Sequence, residues 1–194
     1  MNWVENLLII AGISLDVFAA MEIQGAMIAN LKQKTILVAC GVVAGLELIF
    51  YLGAYAFCRL ISIKGLIANP VSNGEIIAVV ILALLGIRLI IKAFRREFVQ
   101  ERRRESLIVL DYIRIVVISN IYTAAAGCAC GLVGTTVWQI IAIILVMSVI
   151  MVSAGLYTGL HFGFEKKTIA YLAGALLLWG VGAEIFLNKV INLI

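Results

Sequence analysis

Six long apolar stretches, separated by short polar breaks, account for nearly the whole chain. A helix needs roughly 20 mostly apolar residues to cross the hydrocarbon of a bilayer, and on that rule the pattern predicts spans at about 4–28, 36–60, 75–94, 107–132, 137–160 and 168–191. The one long polar interruption, RREFVQERRRE at 95–105, falls near the midpoint. Three spans, a basic loop and three further spans send the two halves into the bilayer in opposite orientations, the layout of an inverted repeat. The expected fold is therefore all-α: a polytopic bundle of six transmembrane helices arranged as two inverted three-helix repeats. Residues 1–94 form the first repeat, 95–106 the basic cytoplasmic loop and 107–194 the second repeat.

The internal similarity of the halves is faint, but it falls where such a repeat predicts. Each opens on an apolar span whose middle is polar and rich in small residues, SLDVFAAMEIQGA at 14–26 and SNIYTAAAGCACG at 119–131. Each closes on a span with a glycine two residues before a charge, GIR at 86–88 and GAE at 182–184. Helical spacing gathers the polar positions into stripes. Gly12, Asp16, Ala20 and Gln24 share one face; Cys40, Ala44, Glu47, Tyr51, Ala54 and Cys58 share another; Gly180, Glu184 and Asn188 repeat the pattern in the last span. These faces are expected to meet inside the bundle. GVVAG at 41–45, GCACG at 127–131 and GLYTG at 155–159 are GxxxG patterns that permit close backbone approach.

Composition sharpens this picture. With 64% hydrophobic residues, 13% charged residues and a mean hydropathy of +1.14, the chain has more apolar surface than one small soluble core can hide, so it must face lipid. The net charge of +4 does not mark a nucleic-acid binder, because the cations gather beside the apolar spans. Lys32, Lys34, Arg95, Arg96, Arg102, Arg103, Arg104, Lys166 and Lys167 fall in the breaks after the first, third and fifth spans, against Arg59, Lys64 and Lys189 near the other side. The positive-inside bias makes the first set cytoplasmic and puts both termini outside, with Trp3 and Trp138 at the outer interface. Glu5 stands where a secretory leader would carry Lys or Arg, so the first span is expected to be retained.

An ionisable group near the bilayer centre costs at least roughly 2.5–3.5 kcal/mol on insertion scales and is turned toward a pathway or a partner. Asp16, Glu47 and Glu184 all lie deep in their spans. Carboxylate, amide and hydroxyl oxygens, with no histidine in the spans, make a donor set for a hard or borderline divalent cation such as Mn²⁺ or Mg²⁺. Arg88 belongs to the stripe Arg88, Lys92, Arg95, where snorkelling and an internal ion pair are both open. Asp111 and Arg114 are spaced to pair near the start of the fourth span. Glu22 stands off the Asp16 face, nearer the cytoplasmic end, where an ion could first be met. Cys128 and Cys130 are two apart, so they point to nearly opposite sides of a helix and cannot both ligate one ion. The four cysteines read as small packing residues. The sole histidine, His161, lies at a loop and no nucleophile and base are paired, so no enzymatic activity is expected.

GISLDVFAA at 12–20, GLE at 45–47 and LLGIRLIIKAFR at 84–95 resemble the bacterial manganese efflux pump family, within the wider lysine-exporter superfamily. The likeness in length and six-helix layout spans the whole chain, and the first half carries the specific motifs. The resemblance implies a small inner-membrane exporter that takes Mn²⁺, or a similar divalent cation, as substrate and holds no permanent cofactor. The family's opening motif carries over onto Ser14, Asp16, Ala19 and Ala20, and its acid in the second helix onto Glu47. The second half departs from the pattern: matching TAAAG at 123–127 to the family's small-residue run puts Asn120 at the motif serine and Tyr122 at the expected aspartate. On this resemblance Asp16 and Glu47 bind the ion and Asn120 lends an amide oxygen. Glu184, standing where the family more often has an uncharged amide, restores the lost charge. Ser14, Gln24, Tyr51, Tyr122, Asn188 and Arg88 are expected in support, and competition between protons and metal for desolvated carboxylates is expected to couple release to the proton gradient. Two other readings stay open: a non-transporting membrane scaffold, favoured by the altered second motif, and an exporter of a small organic cation. The expected partners are the metal ion and the lipid bilayer, with no nucleic acid, and the oligomeric state is left open.

Overall fold

In a computed structural model, the described residues are 3–28, 33–64, 70–94, 109–133, 137–163 and 166–191, and among them lie six α-helices and no β-strand. The helices are α1 (Trp3–Ala26), α2 (Gln33–Ile63), α3 (Pro70–Phe94), α4 (Val109–Val133), α5 (Val137–Phe162) and α6 (Lys167–Ile191). They match the six expected spans, with α2 running on by three residues at each end and α3 starting five residues earlier. Pro70, the sole proline, opens α3, in the first turn where its missing N–H has no partner to lose. α5 stops at Gly163, which adopts a left-handed φ of 69° and donates its N–H to the Gly159 carbonyl at 3.0 Å. The 95–106 loop lies outside the described residues, and so do the side chains of Asp111 and Arg114.

Five of the helices are long and apolar enough to cross a membrane by length and composition. α4, at 25 residues, is long enough as well, about 37 Å, and it turns its polar stretch inward, burying Ser119, Asn120, Tyr122 and Thr123. Large apolar side chains are exposed on the outside instead: Leu37, Phe57, Leu84, Trp138, Val146 and Leu176 among them. A soluble protein would hide such groups, whereas lipid accepts them. The structure is that of a polytopic helical membrane bundle.

Every substantial helix pair among the described residues joins one half of the chain to the other. α1 packs on α4, α5 and α6; α2 packs on α4 and α5; α3 packs on α4 and α6. Exchanging α1, α2 and α3 for α4, α5 and α6 leaves this set of pairs unchanged.

Glycines set the tightest crossings. A Cβ on Gly155 would stand 2.6 Å from the Phe18 carbonyl oxygen, and one on Gly159 would stand 2.1 Å from that of Glu22. α5 thus runs parallel to α1 at a separation that admits no side chain. Gly127 and Gly131 do the same for α4 on α2, where a Cβ would meet the Tyr51 and Tyr55 carbonyl oxygens at 2.5 and 2.7 Å. GCACG and GLYTG are therefore interface motifs. GVVAG is not, since nothing lies within 4 Å of a Cβ on Gly41 or Gly45. Gly41→Ala is accordingly expected to shift stability by no more than about 0.5 kcal/mol, as read by thermal melting of the purified protein in detergent.

Candidate ion-binding centre

α1, buried over most of its length, carries Asp16 to the seam between the halves with 0% of it exposed. Two other helices hold the carboxylate. Lys92 Nζ, from α3, donates to Oδ1 at 2.7 Å, and the Ser119 hydroxyl, from α4, donates to Oδ2. An unpaired charge in this position would be strongly destabilising, and the ammonium and hydroxyl together offset that cost. Lys92 Nζ also lies 5.1 Å from the centre of the Tyr122 ring and 5.5 Å from that of Tyr171. One turn earlier on α3, the Arg88 guanidinium sits 4.9 Å from the same Tyr122 ring. Ring faces attract cations, so Tyr122 favours positive charge here without bearing negative charge itself.

Glu47, buried on α2, makes a second acidic centre. The Ser148 hydroxyl of α5 bonds Glu47 Oε2 and also lies 2.7 Å from the Ile144 carbonyl oxygen. Beside Glu47 is a cavity of about 10 Å³, bordered by Ser14, Glu47, Tyr51 and Thr123 together with Ile10, Ile13 and Ile144. That is room for roughly one water-sized particle. Asp16 does not border this cavity. α4 links the two centres: Ser119 bonds Asp16, and Thr123, which borders the Glu47 cavity, follows four residues later on the same face, about 6 Å along the axis. Between them in sequence, Asn120 is wholly buried with both amide atoms unbonded, and Thr123 Oγ1 is unbonded too. A buried polar group left unbonded costs about 1–3 kcal/mol. These oxygens are the ligands a dehydrated hard cation would take. Among the described residues no three His, Cys, Asp or Glu side chains cluster, so a cation here would rely on hydroxyl and amide oxygens beside the two carboxylates.

The structure brings Asp16, Glu47, Asn120, Ser14, Tyr51 and Tyr122 to the interior where the halves meet, and Arg88 reaches it over Tyr122. Gln24 is buried on α1, two turns beyond Asp16. Glu184 and Asn188 are not brought in: both are exposed, because Val181 and Ile185 take the inward face of α6 and leave Glu184 on the other. Glu184→Gln is expected to leave manganese uptake by proteoliposomes at the wild-type rate. Glu22, wholly buried, accepts the Lys166 N–H at 3.0 Å and so caps the start of α6 from α1. His161 is exposed at the end of α5, with Nδ1 3.0 Å from the Tyr157 carbonyl oxygen. Cys128 faces the Ala54 carbonyl of α2 at 3.9 Å, whereas Cys130 packs in the cluster of Tyr51 and Ile140. Sequence reasoning gives no site role to Ser119, Ser148 or Thr123, and places Lys92 only in the stripe Arg88, Lys92, Arg95. Lys92 has a visible signal, a second cation one turn after Arg88 in an apolar span, but the hydroxyls have none, since Ser and Thr are ordinary in membrane helices.

Lipid-facing helices that seal an acid, an ammonium, hydroxyls and an amide at their centre define a polytopic membrane protein with an ion-bearing core. A family model described as "Putative manganese efflux pump" matches residues 68–186, more than half of the chain. The chain belongs to this manganese efflux pump family, a family of transport proteins. The matched segment contains Lys92, Ser119, Asn120, Tyr122, Thr123 and Ser148, while Asp16 and Glu47 lie outside it, on α1 and α2. No curated protein and no solved structure matches the chain.

Proposed function

We propose that the protein exports manganese across the inner membrane, both termini outside, by alternating access between two inverted three-helix repeats, residues 1–94 and 107–194. One observation carries the reading: Asp16, with no exposed surface, stands where the first half meets the second and holds a cationic group. A buried acid paired in this way gains little stability over a well-packed apolar residue, and an intramembrane carboxylate facing a bundle interior marks an ion path.

Mn²⁺ arriving from the basic end sheds water and takes oxygens in exchange, from Asp16 on one half and from Ser119, Asn120 and Thr123 on the other. Glu47, beside the next turn of α4, supplies the second negative charge, with Ser14 and Ser148 next to it. Because the donors come from both halves, rocking one against the other changes the ion's coordination and opens the centre to one side and then the other.

The test is cation flux into proteoliposomes containing the full chain, over a panel of Mn²⁺, Mg²⁺, Ca²⁺ and Zn²⁺, with free lysine as an organic cation. Manganese is expected to move fastest. If it moves no faster than into protein-free liposomes the reading fails, and a flux carried by lysine alone transfers it to the organic-cation alternative.

A further inference from the structure

We propose that Lys92 is a tethered counter-ion that competes with the transported cation for Asp16 and is displaced when the cation loads. The inference rests on the transport reading above and adds a moving part to it.

Both oxygens of the Asp16 carboxylate are engaged, Oδ1 by Lys92 and Oδ2 by Ser119. A metal ion at Asp16 therefore comes up against both of these groups, which respond to it differently. Ser119 has no need to leave, because its hydroxyl turns its lone pairs to a cation as readily as its proton to an acid. An ammonium has three donors and no acceptor, so Lys92 cannot become a ligand. It also repels a doubly charged ion at the same carboxylate. Lys92 is thus the group that must move, and it is built to do so. Its charge sits on a flexible four-carbon stem, and its side chain is 23% exposed although Asp16 is 0% exposed. The two tyrosine faces, 5.1 and 5.5 Å from Nζ, give the displaced ammonium a place beside the site instead of a route away from it. Once the ion departs, Lys92 closes on Asp16 again. The buried carboxylate is compensated at both ends of the cycle, and the returning ammonium opposes rebinding of the released ion.

Equilibrium binding of Mn²⁺ to the purified full chain tests this. A competitor that occupies the site most of the time lowers the apparent affinity by the fraction of time the site is free, so Lys92→Gln is expected to bind Mn²⁺ about tenfold tighter or more. Its turnover in proteoliposomes is expected to fall, splitting KM from kcat, and Lys92→Arg is expected to bind as wild type does. A merely structural pair predicts the opposite, binding weakened or unchanged in Lys92→Gln. The two proposals separate through Asp16→Asn. If that variant loses Mn²⁺ binding while Lys92→Gln binds no tighter than wild type, the counter-ion role is overturned and the transport reading stands. If Asp16→Asn binds as wild type does, both are overturned. A measurement on the wild-type chain avoids any question of folding: acylation of Lys92 by an amine-reactive reagent, quantified by peptide mass spectrometry, is expected to rise when Mn²⁺ saturates the protein. Labelling that stays level or falls overturns the counter-ion role.

Discussion

Asp16→Asn is expected to reduce manganese uptake into proteoliposomes by about a hundredfold or more, since changing even the partners of a metal ligand costs 10–100-fold. The substitution preserves shape, so the loss reports charge. The single amide oxygen keeps only one of the two bonds: if it accepts from Ser119, the NH2 is turned to Lys92, and neither group neutralises an ammonium or a divalent ion. Lys92 is the reason the variant should remain folded: its side chain is 23% exposed and can withdraw toward Tyr122 and Tyr171 or the bundle surface, which limits the penalty to about 1–3 kcal/mol instead of the larger cost of a trapped charge. Uptake and thermal melting measured on one preparation separate the two effects. Wild-type uptake in the variant would remove Asp16 from the ion path.

The largest structural effect is expected at Gly159. Valine there places a Cβ 2.1 Å from the Glu22 carbonyl oxygen and 2.9 Å from the Ala26 nitrogen, both backbone atoms of a helix that no rotamer change can move. α1 and α5 must part by more than 1 Å, by the difference from an ordinary contact of about 3.5 Å. That separation also loosens the crossings at Gly25 and Gly155 and the packing of the fully buried Met21 and Leu156. The Glu22 cap on Lys166 goes with them. A loss of about 3–5 kcal/mol or more follows, enough to consume most of a typical stability. Size-exclusion chromatography in detergent should find little monodisperse protein. A Gly159→Val variant that elutes and melts like wild type would mean that these helices do not cross so closely.

The spans are legible in the sequence because lipid demands unbroken apolar length, a signal that survives ignorance of every contact. The rotation of each helix about its own axis is much harder to read. In α1 it is recoverable, since Asp16 is the costliest residue to expose and must face inward. In α6 the stripe Gly180, Glu184, Asn188 suggests an inward polar face, yet Val181 and Ile185 occupy that face, and Glu184 lies only about 10 Å from the helix end at Ile191. GVVAG misleads for a related reason: a GxxxG stripe shows that a close approach is permitted but not that a partner is present. The role of Lys92 stays undecided in the sequence because a long basic side chain near a helix end can reach either outward or inward. Only the position of α1, set by the packing of the other half, decides in favour of Asp16.

The crossed pairing of the helices has a consequence for how the protein is made. α1 leaves the ribosome first, but the neighbours that enclose it, α4, α5 and α6, are the last to be synthesised. The nascent first half has no interior of its own to fold around. Its helices must wait in the membrane, Asp16 and Glu47 included, until the rest of the chain arrives to shelter them. A gene cut within the 95–106 loop should therefore yield two fragments that are each degraded when expressed singly and persist when co-expressed.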